Sequence, residues 1–136
     1  MMALKLVLLY LLTAVAFFAI DFLWLTKFVP KFYRSNLGDI LLPKANAVAG
    51  AAFYVVYLAG VLAVVVVPAV RAGSLPDAVW KGAVVGLISY ATYDLTNLAT
   101  LKGWSAKVSM VDMAWGTVLT AVVCLVSYFI GHWLKV

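Results

Sequence analysis

The sequence predicts an all-α, polytopic membrane protein, folded as an antiparallel bundle of four transmembrane helices. The 136 residues are 67% hydrophobic and only 11% charged, whereas soluble domains are roughly 45–50% apolar. The hydrophobic residues form four runs, and each has the length of about 20 residues that crosses a bilayer as a helix. Short polar connections separate the runs, and such connections place consecutive helices side by side in opposite directions.

The first span is predicted over residues 6–26, an apolar run that only Asp21 interrupts. At 1.5 Å per residue the run reaches about 30 Å, the thickness of the hydrocarbon layer. Lys5 before the run and the small residues at 14–16 resemble a signal peptide. Because the apolar run continues well past those small residues, we expect a transmembrane helix that is not cleaved.

The first connection is predicted over residues 27–44, because it is polar and contains Pro30 and Pro43, which are typical of helix ends. Gly82 and Gly86 in the third span predict that a neighbouring backbone approaches this helix closely. The later spans are predicted at 45–70, 79–101 and 108–134, within a single transmembrane domain over residues 1–136.

The distribution of basic residues predicts the orientation in the membrane. The net charge of +5 comes from residues between the apolar runs, where they anchor a membrane protein, so no nucleic-acid partner is expected. The positive-inside rule places connections one and three in the cytoplasm and both termini outside. The small difference in charge also allows dual insertion. Connections one and three carry Lys27, Lys31, Arg34, Lys44, Lys102 and Lys107, and the other side carries Lys5, Arg71, Lys81 and Lys135.

Three carboxylates fall within the predicted spans, namely Asp21, Asp94 and Asp112. An ionisable residue inside a membrane costs roughly 2.5–3.5 kcal/mol on insertion scales and indicates a functional site. By the rise per residue, each carboxylate lies roughly 8–12 Å from connection one or three. We therefore expect one polar layer near one side of the membrane.

Other polar and aromatic side chains are expected to join this layer. Tyr93 and Asn97 share a helix face with Asp94, and each of the two Asp-x-x-Trp segments places an indole beside a carboxylate. For Asn46 and Thr96 the alternative is that they only form hydrogen bonds between helices. The candidate substrate-binding or proton-coupling residues are Asp21, Asp94, Asp112, Asn97, Tyr93, Tyr54, Trp115, Trp24, Thr96 and Asn46.

Several kinds of site are excluded by the residues present. The single histidine, His132, lies at the opposite end of the fourth span from the carboxylates, so neither a Ser–His–Asp triad nor a zinc site is expected. The chain has no glutamate and one cysteine, Cys124, so di-iron and thiolate clusters are excluded. No cofactor or metal is expected, although Asp21, Asp94 and Asp112 together form an alternative site for Mg²⁺, Ca²⁺ or Mn²⁺.

Several segments resemble a known family. They are Tyr-Asp-Leu-Thr-Asn-Leu-Ala-Thr at 93–100, Asp-Met-Ala-Trp-Gly at 112–116, Asp-Phe-Leu-Trp-Leu at 21–25 and the Phe-Tyr pair at 53–54. In these segments the chain resembles a family of small four-helix bacterial membrane proteins catalogued only as a domain of unknown function. The resemblance covers nearly the whole chain. It implies a bacterial inner-membrane location and four spans, and no activity.

Three functions are compatible with these residues. The leading hypothesis is a small transporter or binding protein for a small polar or cationic solute, acting as a homo-oligomer with Asp94 as the central carboxylate. The alternative is a membrane enzyme or enzyme subunit that acts on lipid chains or headgroups, with an aspartate as general acid or base. The third is a structural accessory subunit. A carboxylate site that opens sideways to lipid favours the enzyme, and one that faces an oligomer axis favours transport.

Overall fold

The computed structural model describes all 136 residues, and it contains helices and turns but no strand. The all-α class is therefore confirmed. Four long helices account for most of the chain, and short connections join them. They are α1 (Met2–Ile40), α2 (Ala47–Ala72), α3 (Leu75–Thr100) and α4 (Ala106–Leu134).

Helices α1, α2 and α4 are each long and apolar enough to cross a membrane. This confirms the prediction of a membrane protein with several apolar helices. Helix α3 has 26 residues and thus a length of about 39 Å, but it carries more polar side chains and does not reach the same hydropathy. A crossing by α3 stays a prediction.

Helices α1 and α4 run in opposite directions along each other. The Thr13 hydroxyl donates a hydrogen bond of 2.8 Å to Ser127 Oγ, and Trp115 Nε1 donates one of 3.0 Å to Asp21 Oδ1. Residues that come later in α1 are thus paired with residues that come earlier in α4. The two contacts connect these helices in both halves of the molecule.

Helices α3 and α4 are also antiparallel, and they pack most closely at glycines. A Cβ on Gly82 would lie 2.8 Å from Cys124 Sγ, and one on Gly86 would collide with the Gly116 carbonyl and lie 2.7 Å from the Thr120 hydroxyl. Small residues of this kind let helix backbones approach in a membrane. The close approach predicted from the spacing of Gly82 and Gly86 is present.

The first helix differs from the sequence prediction at its C-terminal end. It does not end near residue 26 but continues through a π-helical turn (Trp24–Phe28) and an α-helical segment (Val29–Leu37) to a 3₁₀ turn (Gly38–Ile40). The π-helical turn places Pro30 in the first turn of the following segment, where the missing N–H of a proline costs little. The connection to α2 is therefore short.

The apolar core lies at the end of the molecule that holds the α2–α3 turn. Helix α2 contributes most of it, including a second π-helical turn (Leu62–Val66) directly before Val67 and Pro68. Gly73 ends α2 in the left-handed conformation, with φ of 64°. The most deeply buried apolar side chains in this region are Leu9, Leu58, Val61, Val65, Val66, Leu119 and Val123.

Candidate functional site

Asp21 is the carboxylate at which three helices meet. It comes from α1 and is only 2% exposed. Trp115 of α4 donates its indole N–H to Oδ1 at 3.0 Å, and the Tyr54 hydroxyl of α2 donates to Oδ2 at 3.2 Å. A carboxylate that accepts charge-assisted hydrogen bonds on both oxygens is held in a fixed position.

Asp112 lies one turn before Trp115 on the same face of α4. Because Trp115 reaches Asp21, this face of α4 is directed at the same region. Asp112 is 4% exposed, and its Oδ1 is buried with no hydrogen-bond partner. A buried polar oxygen without a partner is uncommon in folded proteins and calls for an explanation, such as a ligand.

A cavity of about 610 Å³ adjoins Asp112. All four helices contribute to its wall, which is mostly apolar and aromatic. No cation from the protein enters it. The lining residues are Leu25, Tyr33, Ala49, Gly50, Phe53, Tyr54, Ser89, Tyr90, Tyr93 and Asp112.

The cavity exists because α2 and α3 diverge at this end. Helix α2 makes its close backbone contacts with α3 through its second half, residues 62–72, and few through its first half, Ala47–Val61. Gly50 lines the widened gap, and a Cβ on it would meet no atom within 4 Å. The gap is therefore open on the side of the molecule between α2 and α3.

A column of stacked aromatic rings supports one side of the site. Trp24 lies parallel to Trp115 with ring centroids 4.5 Å apart, Phe28 stacks on Trp24 at 4.3 Å, and Phe32 stacks on Phe28 at 4.8 Å. Lys107 Nζ lies 5.8 Å from the Phe32 ring centroid. The column starts at the indole that holds Asp21 and depends on the continuation of α1 past the predicted helix end.

Asp94 does not belong to this cavity. It is 0% exposed, and neither carboxylate oxygen has a hydrogen-bond partner. Its backbone carbonyl accepts a hydrogen bond of 3.2 Å from Ser109 Oγ of α4, which in turn accepts one of 3.0 Å from Trp104 Nε1. In the structure Asp112, rather than Asp94, is the carboxylate at the cavity wall.

The remaining candidate residues divide between the cavity and local roles. Tyr93 lines the cavity and contacts the Trp104 ring edge-on, with centroids 5.6 Å apart. Asn46 is the N-cap of α2, and its Oδ1 accepts from two backbone N–H groups. The Thr96 hydroxyl donates to the backbone of its own helix. The Asn97 backbone carbonyl accepts a hydrogen bond from the Leu101 N–H at the end of α3. These last three residues do not join the cavity.

The alternative metal site is not formed. No group of three histidine, cysteine, aspartate or glutamate side chains comes together in a way that could hold a metal ion. Asp21, Asp94 and Asp112 lie on three different helices. Of the three, only Asp112 lines the cavity, and their common depth in a membrane stays a prediction.

The residues of the region that were not expected from the sequence include Ser109, Ser89 and Tyr33. Ser109, which contacts Asp94, precedes Asp112 by one helical turn, so the polar face of α4 gave a signal for it. Ser89 lies one position before Tyr90 and gave no separate signal. Tyr33 lines the cavity only because α1 continues as a helix through Pro30, and the predicted polar connection excluded this.

The three buried carboxyl groups of this end of the molecule form no ion pair. The one ion pair of the protein joins Lys81 and Asp77, 2.7 Å apart, at the other end of α3. Asp21, Asp94 and Asp112 therefore have no basic partner. In a membrane, buried carboxylates are usually paired with a cation or exposed to a water-filled cavity, so a positively charged ligand fits this region better than an anionic one.

Comparisons with known proteins agree with the membrane assignment. No curated protein and no solved structure matches the sequence. A family model described as "Predicted membrane protein (DUF2177)" matches residues 6–129, which is nearly the whole chain. The protein thus belongs to the DUF2177 family of membrane proteins, a domain of unknown function.

Proposed function

We propose that the protein binds an amphipathic organic cation in the cavity beside Asp112, and that the ligand enters from the bilayer between α2 and α3. One observation carries this proposal: Asp112 lines the cavity, and its Oδ1 is buried with no hydrogen-bond partner. A cationic group of the ligand would supply the missing partner and neutralise the carboxylate.

The aromatic wall favours a cation of organic character. Tyr33, Phe53, Tyr54, Tyr90 and Tyr93 all line the cavity, and aromatic faces attract ammonium and related cations by roughly 0.5–2 kcal/mol each. The volume of about 610 Å³ is within the range of small-molecule sites, which is roughly 300–1,000 Å³. A hydrated metal ion would use little of this apolar surface.

The lateral opening favours a ligand that dissolves in the membrane. Phe53 is 49% exposed and Tyr93 is 58% exposed at the gap between α2 and α3. In a membrane these rings would face lipid or the interface, where aromatic side chains are common. An amphipathic cation could pass between them with its apolar part in the hydrocarbon layer.

Asp21 has a supporting role in this proposal. Its two oxygens are already occupied by Trp115 and Tyr54, so Asp21 fixes the position of the Tyr54 ring that lines the cavity. Its negative charge also adds to the attraction for a cation at Asp112. Asp112 is the residue in direct contact with the ligand.

The proposal is tested by equilibrium dialysis with phenethylammonium, an amphipathic cation whose ammonium group donates hydrogen bonds, using the full chain in lipid nanodiscs. We expect saturable binding to the wild type and at least roughly tenfold weaker binding to Asp112→Asn, because a charged partner is lost in a desolvated site. The matched control is Asp39→Asn, which removes the same charge from an exposed position near the same end of the molecule. Equal affinity in wild type and Asp112→Asn would reject the proposal.

A second variant tests the cavity itself. Gly50→Leu places a side chain in the open space that lines the gap, so it should exclude the ligand while leaving helix packing intact. Gly60→Leu is the control, because Gly60 also has no neighbour within 4 Å but does not line the cavity. Loss of binding in both variants would point to a general effect on the fold.

The lateral opening also favours the second candidate, an enzyme or enzyme subunit acting on lipid. The Tyr54 hydroxyl is hydrogen-bonded to Asp21 beside the opening, and a carboxylate with a tyrosine partner can act in general acid–base catalysis. Mass analysis of lipids from cells that express wild type or Asp21→Asn distinguishes the candidates. A lipid product that depends on Asp21 would favour the enzyme.

Transport and assembly extend the main proposal. We propose that α3 crosses the bilayer together with the other three helices, that the basic connections lie on the cytoplasmic side of a bacterial inner membrane, and that the chain acts as a homo-oligomer. Uptake of phenethylammonium into proteoliposomes, compared with protein-free liposomes and with Asp112→Asn, tests transport. Labelling of each terminus tests orientation, and native mass spectrometry gives the oligomer mass.

A further inference from the structure

A second, apolar groove lies at the opposite end of the molecule from the carboxylates. It runs between the N-terminal half of α1 and the C-terminal half of α2, and its volume is about 310 Å³. Seven of its eight lining residues are hydrophobic. The wall is formed by Leu6, Leu9 and Tyr10 of α1 and by Ala59, Leu62, Ala63, Val67 and Arg71 of α2.

The shape of the groove follows from two features of the helices. Ala59 and Ala63 stand one turn apart on α2, so their short side chains leave space between α2 and α1. At the inner part of this interface the Tyr10 hydroxyl donates a hydrogen bond of 3.2 Å to the Val55 carbonyl. The helices are thereby fixed to each other while the groove between them stays open.

Arg71 is the one charged residue of the groove and lies at its outer end. It is exposed in the last turn of α2, directly before the Gly73 turn. Its guanidinium forms no ion pair, since the protein has only the pair between Lys81 and Asp77. Arginine binds phosphate through two parallel N–H donors, and this one is free to do so.

The groove runs inward from the end of α2, and its length is similar to that of a lipid acyl chain. Arg71 lies at the helix end expected at the membrane surface, and Ala59 is twelve residues deeper on α2, which corresponds to about 18 Å. An apolar wall that starts at a surface cation and runs inward fits a phospholipid, whose headgroup lies at the surface and whose chains point to the midplane. The opposite charge of the phosphate complements Arg71.

We propose that this groove binds one acyl chain of an anionic phospholipid, with the phosphate held by Arg71. The site lies in the opposite half of the molecule from Asp112 and does not depend on the proposed function of the carboxylate cavity. It would bind a lipid of the leaflet on the α2–α3 turn side. A bound chain would fill space between α1 and α2 that the protein leaves empty.

The test uses native mass spectrometry of the full chain released from nanodiscs of equal parts phosphatidylglycerol and phosphatidylcholine. We expect phosphatidylglycerol to be enriched on the wild type. Arg71→Gln should reduce its retention about tenfold, since a hydrogen bond to a charged group contributes on that scale. Ala63→Leu should reduce retention of both lipids, because the added side chain occupies the groove.

Two controls separate a specific site from general effects. Lys135→Gln removes an exposed positive charge on the same side of the membrane but outside the groove, and it should retain phosphatidylglycerol like the wild type. Circular dichroism and thermal unfolding show whether each variant is folded, and Ala59→Leu replaces Ala63→Leu if the latter is not.

Three results would overturn the proposal. They are unchanged retention in folded Arg71→Gln, an equal loss in Lys135→Gln, and a bound mass that corresponds to a free fatty acid and not to a phospholipid. A loss of phenethylammonium binding without any change in lipid retention would concern the Asp112 cavity alone.

Discussion

Helix α3 packs closely along α4 but is close to α2 at only one end. Against α4 it packs so closely that Gly82, Gly86 and Gly116 have no room for a Cβ. Against α2 it is in close contact only at one end, and at the other end the helices diverge around the cavity. The difference shows how a small helical membrane protein can be stable and still contain a cavity. The α3–α4 interface holds the helices together, and the α2–α3 interface leaves space for a ligand.

The contrast also explains why the carboxylates differ. Asp94 belongs to the closely packed side, where Ser109 of α4 contacts its backbone. Asp112 and Tyr54 line the divergent side. Asp94 and Asp112 thus differ in their access to the cavity, because α3 packs closely against α4 and diverges from α2.

The largest expected effect comes from breaking the close interface. Gly86→Ala places a Cβ against the Gly116 carbonyl and the Thr120 side chain. Because this clash involves backbone, we expect a loss of about 3 kcal/mol in the free energy of unfolding. Unfolding of the reconstituted protein in increasing denaturing detergent measures the loss.

Gly50→Ala is the matched control for this change, since its Cβ meets open space. It should leave stability unchanged or raise it by up to about 1 kcal/mol, because alanine is the better helix former. Equal destabilisation by the two variants would contradict the distinction between the close and the open side of α3.

A smaller loss of stability is expected when the hydrogen bond between Trp115 and Asp21 is removed. Trp115→Phe removes the N–H donor to Asp21 while it keeps a ring for stacking on Trp24. Since a hydrogen bond to a charged group contributes roughly 1.5–3 kcal/mol, we expect a loss near the lower end, measured by the same unfolding assay. Trp104→Phe, which removes a donor to the neutral Ser109 hydroxyl, should cost less, and the opposite order would contradict the role of Asp21.

A still smaller effect is expected at the tie between α1 and α4 in the other half of the molecule. Thr13→Val removes the hydroxyl that donates to Ser127 with little change in shape. Hydrogen bonds between membrane helices average about 0.6 kcal/mol in double-mutant cycles. A cycle with Ser127→Ala should give a coupling energy of this size, and a value near zero would show that packing alone holds this half together.

The smallest effect concerns the exposed start of α3. Hydrogen bonds from Lys81 and Trp80 hold the pKa of Asp77 below its usual value. A carboxylate with a lowered pKa in the folded state stabilises the protein above its unfolded pKa of about 3.9, and this stabilisation is lost as the pH falls through the folded-state pKa. The melting temperature of wild type should slightly exceed that of Asp77→Asn at pH 7, and the difference should shrink progressively as the pH falls below about 3.9. A difference that grows on acidification would contradict this.

Much of the fold could be predicted because it depends on composition and local spacing. The apolar runs predicted the helices, and the spacing of Gly82 and Gly86 predicted the close interface. The extension of α1 could not be predicted, because a π-helical turn at Trp24–Phe28 lets the helix pass Pro30. No residue type in the sequence marks a π-helical turn, so the polar sequence after Thr26 was interpreted as a loop.

The sequence indicated the residues of the site better than it indicated their grouping. The rise per residue predicts one layer for Asp21, Asp94 and Asp112, and helical spacing places Trp115 beside Asp112, whereas the Trp115 indole donates its hydrogen bond to Asp21. The rotation of α3 about its own axis determines which of its faces lines the cavity. This rotation cannot be inferred from a single sequence. Asn46 is a different case, since an asparagine before an apolar run is also typical of an N-cap, the role it has here.

The parallel rings of Trp24 and Trp115 have an optical consequence. Their centroids are 4.5 Å apart and their planes differ by 7°, so the electronic transitions of the two indoles must couple. Coupled indoles give a pair of bands of opposite sign in far-ultraviolet circular dichroism, which single tryptophans such as Trp80 and Trp133 do not. Because one ring belongs to α1 and the other to α4, the pair of bands reports their separation directly. A change in this pair of bands would therefore report a movement of α1 relative to α4 beside the cavity, and the measurement needs no added label.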